Sequence, residues 1–220
     1  MLWDWDGTLA DTVPLVTRAT ALVLERNGFA AVDETGVHLG MRYPTVRRMA
    51  FHSGLDLAEE GARRTAERLA EEFYAVSASP EAGNVALFEG VDAMLRALAE
   101  AGIRLGVVSN NHGTVVRRHA RGAGLGRLFP CIVAEEDVSH PKPDPEGIRR
   151  ALDELGATPD ESVYVGDSAS DAEAGRAAGV TTIAAGWARV DGAQSPGPEF
   201  DLTVGSPAEL VRIIVPRISS

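Results

Sequence analysis

Asp4 and Asp6 stand one residue apart in the stretch "DWDGTLADT". Carboxylates that close repel and raise one another's pKa, so the pair adds nothing to stability and points to chemistry. An aspartate has a reference pKa near ~3.9; it is ionised at neutral pH and attacks without an activating base. A second carboxyl two residues on can protonate a leaving alkoxide and later take a proton from water. Three further segments carry reactive side chains: Ser109 and Asn110 in "VVSN", Lys142 in "HPKPDP", and Asp167 with Asp171 in "VGDSASD". Together they suit magnesium-assisted phosphoryl transfer. Magnesium takes hard oxygen ligands and only one or two carboxylates, which Asp4 and Asp167 can supply, leaving positions for water and a phosphate oxygen. A carboxylate attacking an anionic phosphate needs cations beside it, and Lys142 and magnesium would be those cations. Ser109 and the N–H groups of the helix that follows can hold the remaining phosphate oxygens.

Lys142 carries an additional signal. Of the 21 basic residues, it is the sole lysine among arginines. An arginine-biased composition accounts for the arginines and leaves Lys142 to be explained.

Each site also has a plainer reading. Ser109 and Asn110 fit a helix cap as well as a phosphate cradle. Asp171 fits a first-turn helix acid as well as a partner of the metal or the lysine. His112 reads as a surface residue at a helix start. Arg42, Arg47 and Arg48 read as solvated or paired cations, with Arg42, which follows Gly40 in "LGMRYPTVRR", the best placed to read a substrate carboxylate. Trp3, Trp5 and Cys131 read as packing residues.

These side chains need strands to carry them. Short β-branched runs alternate with amphipathic helical stretches, the pattern of an α/β fold with a parallel sheet. Strands are predicted at "MLWD", 103–109, 131–135, 162–166 and 180–185, with a possible edge strand at 201–205. Helices are predicted over 90–102, 113–123, 145–156, 170–179 and 207–214, with Asp144 capping the third of them ahead of Pro145. In such a sheet, ligands bind beyond the carboxyl ends of the strands, where the four reactive segments fall. Residues 15–82 break the alternation with long helical patterns and no strand. They read as an inserted helical cap, leaving 1–14 and 83–220 as the core.

Composition narrows the partners. A formal charge of −11 argues against coating nucleic acid or anionic membrane, and no stretch reaches transmembrane length. One cysteine excludes an internal disulfide framework and, with no leader-like pattern in the first fifteen residues, fits a cytoplasmic protein. The expected partner is a small phosphorylated metabolite, and the expected state a monomer or homodimer.

The four segments, in this order, strongly resemble the haloacid dehalogenase superfamily of phosphohydrolases along the whole chain, and "YVGDSASDAEAGRAAGVTTIAAGWA" is similar to its phosphoglycolate phosphatase-like subgroup. The resemblance implies a Rossmann-like core with a helical cap. It implies Asp4 as nucleophile, Asp6 as acid/base, Ser109 and Asn110 as phosphate holders and Lys142 as charge stabiliser. It further implies Mg2+ on Asp4, the Asp6 backbone carbonyl and Asp167, with Asp171 behind them. Family members usually carry more apolar residues ahead of the first aspartate, so the central strand is either completed upstream or unusually short. A sugar phosphomutase is the alternative within the superfamily. Those enzymes typically use a cap histidine and lysine, whereas the first cap helix here has no histidine and the cap no lysine. Dehalogenases lack an acid at the Asp6 position.

Overall fold

The computed structural model describes residues 1–40, 43–188 and 200–215, with Glu34 and His38 described by backbone alone. The chain forms two compact units: Met1–Asp11 with Ala86–Ser220, and Thr12–Val85.

The first unit is a six-stranded parallel sheet. Its strands are β1 (Leu2–Trp3), β4 (Gly106–Val108), β5 (Cys131–Val133), β6 (Val163–Gly166), β7 (Thr181–Ala185) and β8 (Leu202–Val204). Their spatial order is β5-β4-β1-β6-β7-β8, which puts β1 at the centre and β8 at an edge. Helices α5 (Val91–Glu100), α6 (Gly113–Gly122), α7 (Glu146–Leu155), α8 (Ala169–Ala178) and α9 (Pro207–Ile214) complete the unit. In α7, Ile148, Ala151, Leu152 and Leu155 are buried at helical spacing. They join Leu2, Val108, Cys131, Val133 and Tyr164 in one apolar cluster. Trp3, Trp5 and Cys131 are buried, as their composition leads one to expect. α7 starts one residue later than expected: Pro145 is the boundary residue, while Asp144 still accepts from the Glu146 N–H at 2.9 Å.

β1 pairs with its neighbours over only two residues on each side. Two further backbone bonds lengthen its hold: Gly106 N–H donates to Met1 O at 3.0 Å and Asp4 N–H donates to Val165 O at 2.9 Å. The second of these fixes the backbone of Asp4 directly against β6. An antiparallel ribbon of β2 (Ala10–Asp11) and β3 (Ala86–Leu87), which periodicity does not reveal, joins the points where the chain leaves and re-enters this unit.

The second unit is helical: α1 (Val13–Arg26), α2 (Glu34–Gly40), α3 (Thr45–Ser53) and α4 (Glu60–Ser77). Leu15, Val16, Ala19 and Val23 of α1 pack with Met49 of α3 and Leu69, Phe73 and Val76 of α4. Among the described residues, no helix is long and apolar enough to cross a membrane.

Candidate active site

The turn after β1 is built around Gly7. Its φ is +80°, the left-handed region that disfavours a side chain, and Gly7 N–H closes the turn on Ala10 O at 2.9 Å. A Cβ added there would lie 2.6 Å from Asp167 Oδ2. The turn can pass beside that carboxylate only because residue 7 has no side chain. Thr8, next along, donates from its hydroxyl to the other oxygen, Asp167 Oδ1, at 2.8 Å. Trp187, just past β7, donates its indole N–H to Thr8 O at 3.0 Å and holds the turn from behind. Gly7→Ala is therefore expected to displace Asp167 and weaken divalent-metal binding by ~10- to 100-fold, the usual effect of disturbing ligand orientation. Isothermal titration of the variant with magnesium reads this; an unchanged affinity would contradict the assignment of Asp167.

Lys142 reaches the centre from the loop after β5. Its Nζ lies 2.6 Å from Asp4 Oδ1, 2.7 Å from Asp171 Oδ1, 2.9 Å from Tyr164 Oη and 3.2 Å from Val108 O. An ammonium has three protons, so this cage saturates it. Its side chain is only 5% exposed. Burial alone would lower its pKa, but the charges of Asp171 and Asp4 prevail and hold it well above the ordinary lysine value. Tyr164, absent from the sequence reading, accepts from Lys142 and has Val108 O at 3.0 Å and Asp171 Oδ1 at 3.1 Å for its own proton. Its signal was a phenol inside the apolar run "VYVG", because a buried tyrosine hydroxyl needs a partner.

Asp171, fully buried, unites its two readings. Oδ1 takes Lys142 and Tyr164, while Oδ2 accepts from Ser168 Oγ at 2.6 Å and Ser168 N–H at 3.0 Å, capping α8. Burial would raise its pKa, but Lys142 and Ser168 hold it below the usual range. The approach of Asp171 depends on Gly166, where a Cβ would meet that of Asp171 at 2.4 Å.

Ser109 and Asn110 follow directly on β4. The Ser109 hydroxyl lies 3.4 Å from Asp6 Oδ2 and 3.1 Å from the Asn111 N–H, which it accepts. Asn110 braces the loop that carries Lys142. Its side-chain amide donates to Lys142 O at 2.9 Å and accepts Lys142 N–H at 2.8 Å, clamping the backbone that carries the lysine. His112 is the N-cap of α6 and accepts from Thr114 N–H at 3.3 Å. Arg42 lies outside the described residues.

The charge balance fits a divalent cation. Asp4, Asp167 and Asp171 each bring one carboxylate oxygen within 4.8 Å of the others. Both oxygens of Asp171 are taken up by Lys142, Tyr164 and Ser168, and Asp4 and Asp167 are the pair that could hold a cation. Burial pushes Asp4 well above the usual carboxylate range against the pull of Lys142, with Asp171, Asp167 and Asp6 adding to the rise. Burial and then Asp171 push Asp167 up to about 7, despite the Thr8 bond. One ammonium does not neutralise four carboxyl groups, and a hard cation on oxygen ligands would relieve them.

The model of the haloacid dehalogenase-like hydrolase family matches residues 1–185. The chain belongs to this family. A phosphoglycolate phosphatase of Rhodospirillum rubrum is 32% identical over 187 residues, which span 83% of this chain and 77% of that one. An N-acetylmuramic acid 6-phosphate phosphatase of Pseudomonas aeruginosa is 29% identical over 218 residues, 97% of this chain and 93% of the other. Among solved structures, CbbY from Rhodobacter sphaeroides, in complex with phosphate, superposes with a TM-score of 0.75 at 27% identity, covering 95% of this chain and 94% of its own. This haloacid dehalogenase-like hydrolase is a phosphomonoester hydrolase.

Proposed function

We propose that the enzyme hydrolyses a small phosphorylated metabolite with magnesium, through an aspartyl phosphate on Asp4, and that 2-phosphoglycolate is the first substrate to test. The observation that carries this reading is the convergence on one point of Asp4, the chain's only lysine and Asp167, at the carboxyl ends of the central strands.

Asp4 attacks phosphorus, and the bond from phosphorus to the ester oxygen breaks. The departing alkoxide takes a proton from Asp6, and the phosphoryl group is now on Asp4. Asp6, as carboxylate, then takes a proton from water, whose oxygen attacks phosphorus and releases Asp4 and inorganic phosphate. Lys142 stays protonated through both steps and offsets the charge shared by Asp4 and the phosphoryl oxygens. Ser109 holds one phosphoryl oxygen through its hydroxyl. Asp4, Asp167 and the Asp6 carbonyl would hold Mg2+, which supplies Lewis-acid polarisation of the phosphate when bound.

Activity is expected to vanish in excess EDTA and return with magnesium. Calcium should inhibit, because it takes more ligands at longer distances and would claim the Asp4 oxygen needed for attack. Magnesium affinity should fall as pH drops below 7: Asp167 is pushed up to about 7 without metal, and a protonated carboxylic acid is a poor ligand. A binding constant flat between pH 6 and 8 would contradict this.

The phosphatases of Rhodospirillum and Pseudomonas support the substrate class, a short phosphorylated acid or a phosphorylated sugar derivative. A screen of several dozen phosphorylated metabolites with magnesium, reading released phosphate, tests it. Turnover of 2-phosphoglycolate above the other compounds is the expected result, and its absence from the substrates would refute that assignment.

A further inference from the structure

Asn111 lies beside Asp6 and has no part in the scheme above. Its side-chain Nδ2 donates to Asp6 Oδ2 at 3.0 Å. The orientation of the amide is not arbitrary, because Asn111 Oδ1 accepts the His112 N–H at 2.8 Å, and only the NH2 group can then face Asp6. The residue itself is held at both ends: its N–H donates to Ser109 Oγ at 3.1 Å and its carbonyl accepts Glu135 N–H at 3.1 Å. The Ser109 hydroxyl also approaches Asp6 Oδ2, at 3.4 Å. The other carboxylate oxygen, Asp6 Oδ1, is buried and accepts no hydrogen bond among the described residues.

We infer that Asn111 is a positioning residue that fixes the orientation of the Asp6 carboxyl group. The Nδ2–Oδ2 bond ties the carboxyl group to an amide that is itself anchored by His112, Ser109 and Glu135, so the group cannot turn freely about its side-chain bond. Proton transfer between Asp6 and the ester oxygen or water depends steeply on that orientation. This inference rests on the acid/base role proposed for Asp6.

Two substrates of nearly one shape separate the possibilities. p-Nitrophenyl phosphate leaves as a weakly basic phenolate that needs little proton assistance. Phenyl phosphate leaves as a phenolate of pKa near ~10, by analogy with tyrosine, and gains more from an acid. The readout is the ratio of kcat/KM on phenyl phosphate to kcat/KM on p-nitrophenyl phosphate, which does not depend on how much of a variant is folded. Asp6→Asn should lower this ratio ~10-fold or more, and Asn111→Ala ~3-fold or more in the same direction. In the Asp6→Asn background, adding Asn111→Ala should leave the ratio unchanged, since the group it positions is gone. A selective Asp6→Asn with an unselective Asn111→Ala would overturn the inference alone, and so would a further fall in the double variant. An unselective Asp6→Asn would overturn the role of Asp6 and the inference with it.

Discussion

Asp4→Asn should lower kcat/KM by at least ~10⁴-fold and leave no phosphorylated protein, because the amide has no anionic oxygen to attack phosphorus. The same substitution should not destabilise the metal-free protein at pH 7. Burial and three neighbouring carboxyl groups raise the pKa of Asp4 well above its unfolded value, so the native state favours the protonated form. A carboxyl group shifted in that direction costs stability once the pH exceeds the unfolded pKa, and an uncharged amide of the same shape removes the cost. The melting temperature without metal is therefore expected to stay level or rise while activity is lost. Residual activity near the wild type, or a clear loss of stability, would contradict the account of this residue.

Lys142→Arg should lower kcat/KM by ~10²- to 10³-fold, though charge is conserved. The Nζ cage has acceptors at 2.6, 2.7, 2.9 and 3.2 Å around a single nitrogen and is almost closed to solvent. A guanidinium is planar, larger, and presents its donors in a fixed fork. It cannot place one point charge on Asp4, Asp171 and Tyr164 at once. Overpacking of this kind costs ~1–3 kcal/mol, so the melting temperature should fall as well. Wild-type activity and stability in Lys142→Arg would return the unique lysine to coincidence.

Much of this site was legible before the fold was known. Asp4, Asp167 and Lys142 stand in motifs whose residue types have few other uses, and the strands that carry them are apolar runs of recognisable length. Tyr164, Asn111, Thr8 and Trp187 were not legible. Their roles come from hydrogen bonds to residues far along the chain, such as Trp187 to Thr8 across 179 positions, and only the strand order brings these together. The resemblance implies a phosphate-holding role for Asn110, and the bond of its amide to the Lys142 backbone across 32 positions could not be read from it. The ribbon of β2 and β3 escaped because strands of two residues have no period to detect. Helix α2 escaped for a related reason: seven residues, two of them glycine, carry little apolar pattern.

The covalent step is the centre of the account, and trapping it is the most direct test. In Asp6→Asn, p-nitrophenyl phosphate can still phosphorylate the enzyme, because its leaving group needs little acid, while the loss of the base slows hydrolysis. The phosphoenzyme should accumulate, and borohydride reduction of the acid-quenched protein should convert the acyl phosphate to homoserine. The account predicts homoserine at position 4 by peptide mass spectrometry, and none in the Asp4→Asn, Asp6→Asn double variant. Modification at any other residue, or continued turnover with none at position 4, would contradict it.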